Sequence, residues 1–347
     1  MRDASRTYER MWYGGEARLQ FLPLAWLYGL VMNVRKVLYE WGWLPSYRIG
    51  RPVVVVGNLT VGGTGKTPLV AWLAEQLKAR GFRVGIVSRG YGSDSKAPRV
   101  IQPDTPWTES GDEPLLLRRR TGCDVVVARD RVEGAKLLME RGADVILTDD
   151  GLQHLRLARD VEIVVVDGAR GFGNGHRFPY GPLREMPSRA ASANLVVING
   201  TPKHPSLARL PRPKDLAPVQ MTLMPGRVLP VGGTRADRSL ESFRGQRVHA
   251  VAGIGNPARF FEDLRARGLE IDEHPFTDHH AFVPSDLAFA DDRPVLMTEK
   301  DAVKCRGFAD ARMWYVPVTA HFSDAQAAAL LEAVVARLNV SVNVVVQ

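Results

Sequence analysis

The chain has 347 residues, 45% of them hydrophobic and 24% charged, with a net charge of +8. That balance excludes a disordered or fibrous chain and leaves room for about two globular domains with large cores. The positive excess points to an acidic partner, whether nucleotide, phosphorylated lipid or anionic membrane face. No zinc spacing or aromatic-interleaved basic stripe suggests nucleic acid, and two cysteines, Cys123 and Cys305, are too few for a disulfide framework or a metal site.

Residues 1–50 form an arm unlike the rest. Four of the seven tryptophans (Trp12, Trp26, Trp41, Trp43) fall here, with Tyr8, Tyr13, Tyr28, Tyr39 and Tyr47. Leu19 to Val34 is free of charge but only sixteen residues long, and Pro23 and Gly29 interrupt it. A spanning helix needs about 20 apolar residues, and no small-residue cleavage site marks a secretory signal. Basic flanks (Arg18, Arg35, Lys36) and aromatic rings predict an amphipathic helix lying in the membrane interface. The competing reading packs that helix on the protein's own core.

Val53 to Pro68, VVVVGNLTVGGTGKTP, reads as a P-loop: a buried strand, a glycine turn, then a helix. Backbone N–H groups of Thr60, Val61, Gly62, Gly63, Thr64 and Gly65 would cradle phosphates. Lys66 would reach the β/γ-phosphates and the Thr67 hydroxyl would hold Mg²⁺. Thr60 stands where the usual pattern has its first glycine, and Gly62-Gly63 supplies the freedom later. The turn also resembles the deviant P-loop class, whose lysine ahead of GGxGKT is here Val61. Catalytic charge and base must therefore come from elsewhere.

A helix from Leu69 to Arg80 follows, then short apolar runs: Arg83–Val87 leading to SRGYG (Ser88 to Gly92), Asp124–Ala128, Asp144–Thr148, Val161–Val166 and Asn194–Ile198. Such runs between helical stretches predict a doubly wound, mostly parallel α/β sheet of P-loop NTPase type, with ligands at the strands' carboxyl ends. Ser88, Asp149, Asp150 and Asp167 lie at those ends. Asp149 or Asp150 suits a Walker-B aspartate for Mg²⁺ opposite Thr67, or a helix cap. Two segments offer a proton acceptor: Gly111-Asp112-Glu113-Pro114, and Phe276-Thr277-Asp278-His279-His280. Each also reads blandly, as a solvated turn or as a cap or metal site, and spacing alone does not bring 112 and 279 together.

Gly173–Glu185 is a glycine- and proline-rich loop whose Arg177 and Arg184 either clamp phosphate or face solvent. Residues 226–246 read as a linker between a 51–225 core and a second, smaller α/β domain at 247–347. In that domain GIGNP reads as a structural turn entering a helix at Ala258–Arg267, with strands at Pro294–Thr298 and Met313–Pro317. Thr298, Lys300 and Asp301 face the cleft or cap a helix.

The ordered set NLTVGGTGKTP, SRGYG, GDEP, TDDGLQH, GNG…GPLRE, FTDHHAF and TEKDAVK, from residue 58 to 304, resembles the tetraacyldisaccharide 4′-kinase family, the lipid A kinases of Gram-negative bacteria. The resemblance implies transfer of the ATP γ-phosphate to the 4′-hydroxyl of tetraacyldisaccharide 1-phosphate, giving lipid IVA, with Mg²⁺, as a peripheral protein at the cytoplasmic face of the inner membrane. No obligate protein partner is implied. It also pairs Asp112 with His279 as a catalytic dyad, gives Lys66, Thr67, Asp149 and Asp150 the phosphate and metal roles, and makes Arg184 a candidate for acceptor binding. A GTPase or metallochaperone-type NTPase would share the P-loop and the aspartates, but would leave the arm and FTDHH without a role.

Overall fold

The structure is a computed structural model that describes residues 8, 10–16, 18–90, 97–233 and 235–345, with side chains to residue 338. Among these residues the strands form two sheets. The larger runs β14-β8-β7-β6-β1-β5-β2-β4-β3, comprising β1 (Val53–Gly57), β2 (Val84–Ser88), β3 (Arg99–Ile101), β4 (Asp124–Val127), β5 (Val145–Asp149), β6 (Val161–Asp167), β7 (Leu195–Asn199), β8 (Val219–Pro225) and β14 (Val318–His321). Its strands are parallel except at the edges, where β3 and β14 run antiparallel. The smaller runs β11-β10-β12-β13-β9, comprising β9 (Leu229–Pro230), β10 (Arg247–Ala252), β11 (Glu270–Pro275), β12 (Val295–Thr298) and β13 (Met313–Val316). The Tyr91 and Gly92 positions of SRGYG lie outside the described residues.

Central strands of a parallel sheet are covered on both faces, so they need no polar alternation. Every residue of β1, β5 and β6 is buried. The two-residue repeat still sorts the side chains. Val54 and Val56 join Leu69, Leu73 and Leu77 of the Lys66–Ala79 helix on one face. Val53 and Val55 join Val132, Leu138 and Leu152 on the other.

Two departures from the predicted ranges follow from this packing. The 247–347 range is cut short, because β14 pairs with β8 of the large sheet. Phe322, Leu330, Leu331, Val334 and Leu338, on or just before the Asp324–Val345 helix, join the large sheet's core. At the other boundary, β9 lies within the predicted linker and pairs with β13 of the small sheet. The chain thus crosses between the units twice, at residues 225–229 and 316–318. The crossings run side by side, with Gly226 N–H donating to Pro317 C=O at 2.8 Å.

The arm contains a helix at Leu22–Glu40 behind a short turn at Leu19–Phe21. It runs past the charge-free stretch to carry Arg35 and Lys36, and over Leu19–Glu40 it is long and apolar enough to cross a membrane by length and composition. It is not a core helix: Leu24, Trp26, Leu27 and Val31 are exposed. Its attachments include Gly29, whose carbonyl accepts from Arg177 Nη1 at 2.5 Å, while Arg177 Nη2 donates to Asn33 at 2.9 Å and Arg35 Nη1 donates to Gln153 C=O at 3.1 Å. Arg177 therefore anchors the arm and is not a phosphate clamp.

Phe322 is buried against Trp72 with ring centroids 4.7 Å apart. Phe322→Ala should cost the large unit about 3–5 kcal/mol, read by urea denaturation. Unchanged stability would refute the assignment of the C-terminal segment to that unit.

Candidate active site

β1 ends at Gly57, where a Cβ would meet Leu152 Cβ at 2.6 Å. The chain then wraps to the Lys66–Ala79 helix, whose N-terminus has no side-chain cap. Uncapped first-turn amides are anion donors. Thr60 is buried and bridges to Leu183, so the left-handed turn is made at Gly62 (φ 102°) and Gly65 (φ 91°). A Cβ on Gly65 would lie 2.4 Å from Asn199 Nδ2, which donates to Thr64 C=O at 3.0 Å. Val61 donates its N–H to Pro182 C=O, and Gly63 C=O accepts from Arg170.

The two aspartates at the end of β5 point to different partners. Asp149 is buried, and Thr67 Oγ1 donates to its Oδ2 at 3.2 Å. Burial first, then the neighbouring Glu113 carboxylate, pushes Asp149 up to about 7. Among the described residues its Oδ1 has no hydrogen-bond partner. An orphaned buried carboxylate oxygen beside a hydroxyl fits a hard divalent cation. Among the described residues no group of three or more His, Cys, Asp or Glu forms an all-protein metal cage. That suits an ion like Mg²⁺, which keeps waters and substrate phosphates as ligands.

Asp150 (φ 53°) accepts from Arg184 Nη1 at 2.9 Å through both oxygens and lies 3.6 Å from Lys66 Nζ. Burial opposes its charge, but Lys66 and Arg184 hold it well below the usual carboxylate range. Asp150 is thus the cations' partner, and Asp149 the one facing Thr67.

Asp112 opens the Asp112–Thr121 helix after Gly111 (φ 81°) and is 4% exposed. The bland reading of GDEP as a solvated turn fails because the smaller unit covers it. From that unit's loop after β11, His279 (φ 58°) places Nδ1 3.1 and 3.2 Å from the two Asp112 oxygens. Burial works against the Asp112 charge, yet the His279 hydrogen bond, Lys300 and Lys304 lower it to about 2. Burial likewise opposes the His279 charge, and the hydrogen bond to Asp112 raises it above the ordinary imidazole value. With Nδ1–H donating to the carboxylate, Nε2 is the ring's acceptor. Nε2 lies 3.4 Å from Lys300 Nζ, which also contacts Glu113 and Asp278 at 3.1 Å each. His280 instead reaches Asp286 at 2.8 Å.

A cavity of about 480 Å³ brings these groups together: Gly62 to Thr67, Asp150, Arg184, His279 and Lys300 all line it. A second cavity, of about 530 Å³, shares Val61, Gly62, Gly255 and Asp278 and is walled by Tyr8, Trp12, Tyr13 and Phe276. The GIGNP turn divides them, since a Cβ on Gly255 would stand 2.7 Å from Gly63 N. That turn therefore belongs to the site as well as to its own helix. Thr298 caps the Glu299–Cys305 helix and also lines the first cavity; Asp301 points inward. Asn199 and Arg259 (3.1 Å apart) complete the wall. Of these, only Asn199 carried a sequence signal, as a polar strand end. Ser88 is buried, and Asp167 meets Arg170 and Arg259 at 3.6 and 3.8 Å.

A family model described as tetraacyldisaccharide-1-P 4′-kinase matches residues 17–336. The tetraacyldisaccharide 4′-kinase of Alkalilimnicola ehrlichii is 51% identical over 318 residues, 91% of this chain and 92% of the relative. That of Nitrosococcus oceani is 47% identical over 321 residues, 92% and 91% of the two chains. The crystal structure described as the "apo" form of LpxK from Aquifex aeolicus in complex with ATP superposes with a TM-score of 0.74 at 27% identity, covering 92% of this chain and 98% of that one.

Gly65→Ala would force a side chain into a left-handed φ and against Asn199. It should weaken nucleotide binding about 10-fold or more in a calorimetric titration, and unaltered affinity would rule out this loop as the phosphate cradle.

Proposed function

The chain belongs to the tetraacyldisaccharide-1-P 4′-kinase family, and on that premise we propose that it transfers the γ-phosphate of ATP to the 4′-hydroxyl of a tetraacyldisaccharide 1-phosphate, giving lipid IVA. The observation that carries this reading is the Asp112–His279 pair opposite the P-loop across one cavity. Phosphoryl transfer asks a protein mainly for positioning, charge neutralisation and a proton acceptor. Lys66 and the loop amides serve the phosphates, except the predicted Val61 amide, which Pro182 C=O already takes. Thr67 and Asp149 would hold Mg²⁺, whose charge neutralises phosphate oxygens when bound. Asp150 and Arg184 set where Lys66 lies before nucleotide arrives, and Arg184 is also a candidate for the acceptor. Asp112 aims the imidazole, and His279 Nε2 takes the hydroxyl proton.

An acyl-chain acceptor resides in a bilayer. The exposed Trp26 (74%), Trp41 (71%) and Trp43 (72%) supply a face that inserts at headgroup depth. We place the protein peripherally on the anionic cytoplasmic leaflet, where the exposed Lys36 meets acidic lipid, while the predicted basic flank Arg35 instead donates to Gln153 C=O. From Tyr28 a run of ring contacts through Phe178, Trp12 and Tyr8 leads to the second cavity. That run is the proposed path of the acceptor from membrane to loop.

With ATP, Mg²⁺ and a tetraacylated disaccharide 1-phosphate in detergent, a bis-phosphorylated lipid should form; ATP turnover indifferent to the lipid would sink the reading. Asp112→Ala and His279→Ala should each lower turnover about 10²-fold or more while ATP affinity holds. Because the raised His279 must be neutral to accept a proton, kcat should fall as pH drops through a value above 6.5.

Trp26→Glu with Leu30→Glu, both at exposed positions, should weaken sedimentation with anionic vesicles several-fold. Full retention would count against the arm as the membrane contact.

A further inference from the structure

Behind the dyad, on the side away from the nucleotide cavity, lies a fully buried ammonium. Lys304, on the Glu299–Cys305 helix of the smaller unit, has a side chain with 0% exposure. Its Nζ sits 2.9 Å from Asp301 Oδ1 and 3.7 Å from Asp112 Oδ2. Neither contact has hydrogen-bond geometry. On its remaining side is the Phe282 ring, 5.1 Å away at the centroid. Asp301 is itself 0% exposed, and its Oδ2 accepts from Gly253 N–H at 2.8 Å and Thr298 Oγ1 at 2.6 Å. The anchor of Lys304 is therefore fixed to the end of β10, and the lysine reaches out of one unit into the other.

A buried charge is tolerated where it is paired, and Asp301 alone would pair this one. What Asp301 does not explain is why the ammonium also faces the carboxylate that orients His279. The other cation at the dyad, Lys300, lines the nucleotide cavity beside His279 and contacts Glu113 and Asp278. Bound phosphates would compete for Lys300. Lys304 has no path to them.

We propose that Lys304 is a positioning residue for phosphoryl transfer: held in place by Asp301, it supplies a standing counter-charge that keeps Asp112 ionised and aimed at His279 Nδ1 whatever Lys300 is doing. It touches neither nucleotide nor acceptor. The inference rests on reading Asp112–His279 as the proton-accepting pair. The charged groups facing that pair are Glu113 from the Asp112–Thr121 helix, Asp278 from the loop after β11, and Lys300, Asp301 and Lys304 from the Glu299–Cys305 helix.

The test is the pH profile of kcat in the full-length kinase, with thermal unfolding measured for each variant. Lys304→Met leaves the Asp112 anion less compensated, so His279 holds its proton more tightly. The acid limb should move up by about half a pH unit or more, with kcat about 10-fold lower or worse and KM for ATP within about twofold. Asp301→Asn keeps the shape and the acceptor oxygen but frees the Lys304 charge to act on the dyad. Its acid limb should move down, the opposite direction. Limbs that stay in place in both variants, with activity per folded molecule retained, overturn the proposal. If Lys304→Met does not fold, the near-isosteric Asp301→Asn decides alone by the sign of its shift. Loss of the dyad reading is separately visible, because Asp112→Ala and His279→Ala would then leave turnover intact.

Discussion

The molecule depends on one hydrogen-bonded pair whose members belong to different sheets. Asp112 opens a helix packed on the nine-stranded sheet, and His279 leaves a strand end of the five-stranded one. Under the proposed reaction neither group is competent by itself. Without the smaller unit above it, Asp112 is a solvated carboxylate at a helix start; without Asp112, the imidazole lacks an orienting partner. The contact between the units thus fixes the geometry of the pair that the proposed reaction uses, and charge gathers around it. Three carboxylates, Asp112, Glu113 and Asp278, converge on Lys300. Like charges gathered at one place must be offset, and for Asp112 and Glu113 the offset comes from across the interface.

Opposite this pair, Asp149 and Asp150 show how neighbours divide two adjacent identical side chains. Both leave the end of the same strand, Asp149 buried and Asp150 partly exposed. One meets a hydroxyl and another carboxylate, so burial dominates and its proton is held. The other meets Lys66 and Arg184, which outweigh burial. Such divergence in adjacent groups marks different tasks. The backbone arranges it, since Asp150 adopts a left-handed conformation that turns its carboxylate away from Thr67 and toward the cations.

Much of the large sheet was legible from the chain because its central strands carry their own signal. Val53–Val56 and Ile163–Val166 are β-branched runs that need no partner to declare themselves, and Gly65-Lys66-Thr67 is a local geometry written in local residues. What sequence leaves open depends on distant contacts. Without the family resemblance, nothing near Asp112 says that residue 279 will cover it. The homing of β14 and the final helix to the large sheet is equally silent, since Phe322 and Leu330 find their apolar neighbours around Trp72 and Val219. Arg177 misled for the opposite reason. Its loop resembles an anion clamp, but Gly29 leaves a space on the arm helix where a guanidinium fits, and a Cβ there would strike it at 2.6 Å.

The two crossings between the units lie next to each other as an antiparallel ribbon, Pro225 opposite Val318 and Leu229 opposite Tyr315. A single strand would let one body swivel freely about the other. Paired strands resist twisting and shear but bend readily across their thin direction. A rocking of the small body toward and away from the large one is the movement that such a ribbon would favour. Residues far from this ribbon travel furthest. Since His279, Lys300 and Lys304 all sit on the small body while Asp112 sits on the large one, any rocking about this ribbon would part the proposed acceptor and both lysines from Asp112 together.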